Sequence, residues 1–216
     1  MTTLSKTKLL YWCMLAIAAG FMLNAIYANF VHDPQAERFL SHKIDLKRPL
    51  DKPAWLNVMY IHVGFACVAT AAGAVNFAAK VRNRFRKLHR QLGYVYFVSV
   101  FAVALTSGYM APYATGGKLT SVPFNLLNII WVAFTVISIM KIRKKQLIAH
   151  RDWMVRSYAF CFTNLGIHLI TKIAHQGAGL DYTRSYSIGV YGAIALLLLA
   201  GELVVRMLNR KGAAAR

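Results

Sequence analysis

Residues 150–175 read HRDWMVRSYAFCFTNLGIHLITKIAH. The stretch is long enough to cross a bilayer, yet it carries an unusual load of polar groups. With His150 as origin and 100° per residue, Ser157, Cys161, Asn164 and His168 fall within about 40° of one line, and His175 continues it. Polar groups are costly in hydrocarbon, so this stripe is expected to face other helices or a cofactor. Two histidines about five turns apart on one helix face point towards haem or metal chemistry.

The rest of the chain places this stretch in a membrane. Of 216 residues, 57% are apolar and 15% charged, against roughly 25% charged in a soluble domain. Apolar runs lie at about 9–31, 54–79, 91–114, 120–140, 152–174 and 185–205. The expected fold is all-α: one integral membrane domain over residues 1–216, with six transmembrane helices and a four-helix core made by spans two to five. The fifth span is the weakest by hydropathy, because Arg156 and Lys172 interrupt it; a five-span chain is the competing reading. The first run lacks a small-x-small cleavage site and reads as an uncleaved helix.

The net charge of +19 resembles that of a nucleic-acid binder until the charges are placed. They sit in short loops. KVRNRFRKLHR (80–90) holds six basic residues and KIRKKQLIAHR (141–151) five, with no acid in either. All acids except Asp152 and Glu202 lie in the odd-numbered loops, Asp45 among them opposite Lys47. The positive-inside rule then puts both termini in the cytoplasm of a multi-pass inner-membrane protein, with the lipid bilayer as partner and no nucleic acid. Cys13, Cys67 and Cys161 lie in apolar runs without CxxC spacing and are expected to be packing residues.

Both basic loops end in His-Arg, and each pair opens a helix running outward. Two similar hairpins suggest rough two-fold symmetry about the membrane normal. His89 and His150 then share the cytoplasmic boundary, and His62 and His168 share a level about two turns below the outer one. Bis-histidine haem needs two imidazoles from facing helices. His62, His89, His150 and His168 are therefore the candidate ligands for haem b or another metal. Arg90, Arg151 and Arg156 are candidate partners for haem propionates. Each residue has a plainer reading. His89 and His150 suit contact with lipid headgroups, and His62 suits a hydrogen bond to a neighbouring helix. Arg156 suits snorkelling or an ion pair with Glu202. His32, His42 and His175 are expected to be solvated. Trp153, Tyr94, Tyr96 and Tyr158 suit an interfacial aromatic belt. Ala69, Gly73 and Asn76 share a helix face with His62 and are expected to look into the bundle.

No GxSxG, Walker or HExxH motif is present, and the few intramembrane carboxylates argue against a carboxylate-based ion pump. The expectation is a membrane b-type haem protein transferring electrons, with quinone or a redox protein as partner. The alternative is a non-catalytic membrane protein, transporter-like or an assembly factor, binding metal or lipid through its histidines.

KLHRQLGYVY (87–96) and HRDWMVRSYAF (150–160) resemble the LHRxLGxxY and HRxWMxRSYA motifs of a bacterial predicted-membrane-protein family, a domain of unknown function. The resemblance covers roughly residues 58–175 and extends to His62, Gly73, Gly116-Gly117 and Trp131. It implies a membrane fold and no particular activity. The chain departs from the family pattern at Asn76 (Gln expected), Tyr94 (Arg) and His168 (Arg), so His168 is not a family feature. LHRQLG is also similar to the LHSWLG stretch of the cytochrome b561 family, which implies six helices and two b haems. Ligands there come one per core helix. Here span four has no histidine and span five has two, so only His89 carries over.

Overall fold

Helix formation follows the apolar runs. The computed structural model describes residues 3–43, 46 and 48–213; Asp45 and Lys47 of the first loop lie outside the described residues. Its helices are α1 (Thr3–Ile26), α2 (Glu37–Leu40), α3 (Lys52–Asn76), α4 (Ala79–Arg84), α5 (Arg86–Met110), α6 (Lys118–Arg143), α7 (Leu147–Ala159), α8 (Thr163–Lys172) and α9 (Tyr182–Ala213). Five helical stretches are long and apolar enough to cross a membrane: Lys8–His32, Lys52–Asn76, Arg86–Tyr113, Lys118–Arg143 and Tyr182–Arg210. The chain is an all-α, polytopic membrane protein.

The fifth expected span takes a different form. Residues 152–174 are divided between α7 and α8 by a tight 3-10 turn, Phe160–Phe162. Each 3-10 residue advances about 120° rather than 100°, so the turn rotates α8 relative to α7. The face of α8 that is buried carries Thr163, Ile167 and Thr171. Ser157 and Cys161 are buried, but Asn164 and His168 are exposed. The single polar stripe expected from an unbroken helix therefore does not continue past Cys161.

The expected basic loops are largely helical. KVRNRFRKLHR forms α4 and the first turns of α5, with one break at Phe85 (φ −113°, ψ 60°). Neither Gly nor Pro interrupts it, which explains why helix wins. Between α6 and α7 only Lys144–Gln146 are non-helical, and Lys145 takes a left-handed φ of 59° to reverse the chain. Gly116 (φ 85°) and Gly117 (φ 59°) make the turn before α6 in conformations that L-residues rarely adopt. Pro123 sits inside α6 and cannot donate to the Leu119 carbonyl. The Tyr191 hydroxyl of α9 donates to that carbonyl instead, at 3.0 Å.

Backbone contacts divide the chain into two compact units. One comprises Met1–Arg38 and Pro53–Thr106, the other Phe39–Lys52 and Ser107–Arg216. In the first, the Tyr11 hydroxyl of α1 donates to the Ala74 carbonyl of α3 at 3.2 Å. Trp55 and Tyr96 are fully buried there. In the second, α6, α7, α8 and α9 pack together, and Ile167, Tyr186, Val190 and Ala193 form a core cluster between α8 and α9. Small residues make the α8–α9 approach close. A Cβ on Gly189 would lie 2.9 Å from the Ile167 carbonyl and collide with the Thr171 hydroxyl. The aromatic belt expected at the cytoplasmic boundary is only partly an interface feature. Tyr94 is 59% exposed, whereas Tyr96 and Tyr158 are core residues at 0% and 3%.

Candidate functional site

The short α6–α7 turn sets the geometry around His150. It folds α7 back along α6, so residues near the start of α7 lie opposite the end of α6. His150 Nδ1 is 2.8 Å from Ser138 Oγ and 3.0 Å from the Ser138 carbonyl oxygen. Ser138 Oγ in turn donates to the His150 carbonyl at 3.2 Å. A carbonyl can only accept, so the contact with the Ser138 carbonyl calls for a proton on His150 Nδ1. Two turns along, Ser157 Oγ and Thr135 Oγ1 are 2.7 Å apart, both buried. Thr135 also donates to the Trp131 carbonyl at 2.8 Å, and the Asn128 amide donates to Ser107 at 2.9 Å. Asn128, Thr135 and Ser138 thus form a polar stripe on α6, buried against hydroxyl and imidazole partners.

The first unit repeats this arrangement at His62. Its Nδ1 lies 3.0 Å from Thr106 Oγ1. Thr106 has a single hydroxyl proton, directed at the Ala102 carbonyl (2.7 Å) and the Val103 carbonyl (3.0 Å) of its own helix. With that proton on either carbonyl, Thr106 accepts from Nδ1–H of His62. The companion stripe expected on α3 is buried: Ala69, Gly73 and Asn76 all face inward. His89 is half-buried on the second turn of α5. It is seventeen residues from Thr106, about 26 Å along the helix, so His62 and His89 lie towards opposite ends of the first unit.

The remaining histidines are placed differently. His168 is exposed on α8. His175 lies in the wide turn after α8, where Nδ1 donates to the Leu180 carbonyl at 2.7 Å. His42 stacks on Tyr182 with ring centroids 3.8 Å apart, and His175 meets the same ring edge-on at 5.7 Å. Both are exposed, as expected of solvated residues, but each has an aromatic partner. Beside His42, the Lys43 ammonium donates to the Tyr113 carbonyl and lies over the Phe39 ring. Burial pushes its pKa down to about 8. Asp33 caps α2, accepting from the Glu37 and Arg38 amides at 2.9 and 3.0 Å, and those bonds hold its carboxyl below the ordinary range.

Two of the three candidate arginines have carboxylate partners. Arg156 donates to Glu202 Oε2 from Nε at 3.1 Å and from Nη2 at 2.7 Å, and Arg206 holds the other oxygen at 3.0 Å. Arg156 also lies 5.0 Å from the centre of the Trp153 ring. This is the ion pair weighed for Arg156 from sequence. It borders a cleft of about 180 Å³ lined with Phe134, Leu197 and Leu198. Arg151 donates to Asp152 at 2.6 Å and to Asn209, which donates to the second Asp152 oxygen at 2.9 Å. Arg90 is exposed on α5. Among the described residues, no three of His, Cys, Asp and Glu converge on one point.

The hydroxyl partners Ser138 and Thr106 were not singled out in the sequence. Their signal is faint. Trp131, Thr135 and Ser138 follow a 4-then-3 spacing that marks one helix face, but hydroxyls on apolar helices commonly bond their own backbone, as Thr70 and Thr106 do.

Residues 59–205 match the family described as Predicted membrane protein (DUF2306), and the chain belongs to that family. No curated protein and no solved structure matches the chain.

Proposed function

We propose that this member of the DUF2306 family is a b-type haem protein of the cell inner membrane that transfers electrons, with both termini in the cytoplasm. The observation that carries the reading is the shared state of His62 and His150. Each has Nδ1 within 3.0 Å of an oxygen on a neighbouring helix, and a neutral imidazole that donates there leaves its Nε2 lone pair for a metal. An imidazole that ligates iron has this form, because the second hydrogen bond fixes tautomer and ring orientation and raises ligand basicity. Ser138 and Thr106 are the positioning residues. His89, half-buried, and His168, exposed, are the remaining candidate ligands. Exposure makes His168 the weakest of the four, and quinone is the other candidate occupant beside His62.

When bound, haem supplies a one-electron ferric/ferrous couple. The chain's own residues bind and orient it. Arg90 suits a propionate directly, whereas Arg151 and Arg156 would first have to leave Asp152 and Glu202. The Nε2 lone pairs would also serve another metal, the basis of the non-catalytic alternative. Haem and metal content of His62→Ala, His89→Ala and His150→Ala proteins separates the two. The haem reading expects haem per chain to fall in the His150 and His89 variants. Full haem content in both would reject the inner pair, and stoichiometric zinc or copper lost from these variants would favour the alternative. The basic segments at 80–90 and 141–145 support the orientation, which reporter fusions at each terminus test.

A further inference from the structure

We infer that the α4–α5 corner is a binding site for the phosphodiester headgroup of an anionic phospholipid. Lys80, Arg82, Arg84, Arg86, Lys87 and Arg90 fall within eleven residues, and all six side chains are exposed. No Asp or Glu occurs anywhere between Asp51 and Asp152, so the segment contains no carboxylate to neutralise them. A positive-inside loop needs only to be basic; this one is also shaped. The break at Phe85 ends α4 and starts α5 one residue later. Arg84, Arg86 and Lys87 are thereby brought around one open cleft of about 450 Å³, which Phe85, Leu88 and Gln91 complete.

The apolar members decide the source of the phosphate. Phe85 is 44% and Leu88 41% exposed, in the midst of the cations. A free phosphate gains nothing from them. A lipid places its headgroup among the guanidinium and ammonium groups while its glycerol and upper acyl chain cover Phe85 and Leu88. Farther along α5, Val95 and Val98 are exposed in the apolar span and continue that surface into the bilayer. Arginine predominates in the segment, and its planar fork matches two phosphate oxygens.

The test is lipid retention by purified full-length chain in nanodiscs of mixed phosphatidylglycerol and phosphatidylcholine, read after detergent extraction by native mass spectrometry. The unaltered protein should retain phosphatidylglycerol selectively, and less of it as salt is raised. The combined substitution Arg84→Gln, Arg86→Gln, Lys87→Gln should weaken retention about a hundredfold, since each basic residue at the surface contributes about fivefold. Arg84→Lys with Arg86→Lys should restore much of it. Equal retention by the glutamine variant would overturn the inference. So would salt-independent retention by the unaltered protein, which can be read even if the variant fails to fold. Displacement of the lipid by millimolar inorganic phosphate would assign the cleft to a free anion instead, and overturn it too.

Discussion

At the scale of single residues, the account rests on where two imidazoles keep their protons. Ser138 Oγ and Thr106 Oγ1 each lie within hydrogen-bond distance of the Nδ1 of a histidine on another helix. Replacing Ser138 by Ala leaves the backbone carbonyl of residue 138 as acceptor but removes the hydroxyl at 2.8 Å. Thr106→Val removes the only side-chain acceptor seen for His62. Loss of such a partner weakens ligation by about 10–100-fold. Ser138→Ala and Thr106→Val should therefore both lose cofactor more readily than the unaltered protein, and shift the reduction potential of what remains, while both fold. Titration of haem into the stripped proteins checks the loss. Lys43 makes a separate prediction. Its pKa of about 8 in the folded chain lies below the ordinary 10.5. Between those values the unfolded chain holds a proton that the folded chain does not, so stability rises with pH across that window. Below pH 8 both states are protonated and the full cost of burying the ammonium is present. Melting temperature followed from pH 8 to 10 should climb in the unaltered protein and stay flatter in Lys43→Gln.

At the scale of elements, the decisive feature is the turn that separates α7 from α8. The apolar run predicts one helix over 150–175 with a single polar stripe along it. Ser157 and Cys161 are buried as that stripe requires, but three residues of tighter winding send Asn164 and His168 outward. Nothing local announces the turn: FCF contains neither Gly nor Pro. The inward face of α8 packs on α9, a long-range contact that periodicity cannot see. The same contact yields a prediction. Gly189 leaves no room for a side chain against Ile167 and Thr171, so Gly189→Val should destabilise the fold by about 1–3 kcal/mol or more. Gly177→Ala, where a Cβ meets nothing within 4 Å, should be far milder. Thermal melts of both variants in one detergent make the comparison.

At the scale of the whole molecule, five of the helical runs were legible because bilayer thickness forces long uncharged stretches. The helical character of the basic segments was not, because charge density suggested loops where good helix formers and an absence of breakers in fact continue the helices. Of the candidate site, the histidines were visible as costly polar groups on apolar helices. Their hydroxyl partners were not, since Ser138 lies twelve residues from His150 and Thr106 forty-four from His62. The aromatic belt shows the reverse error: Tyr96 and Tyr158 resemble interfacial anchors in sequence but fill the core.

The central claim is that these histidines hold haem. Its most direct test is the absorption spectrum of detergent-purified protein from haem-supplied cells, recorded oxidised and then dithionite-reduced, with haem quantified per chain. The account predicts a Soret band that shifts on reduction, sharp α and β bands, and a haem stoichiometry that falls when His150 is replaced. A colourless protein, or a spectrum unchanged by His62→Ala, His89→Ala and His150→Ala alike, would contradict it.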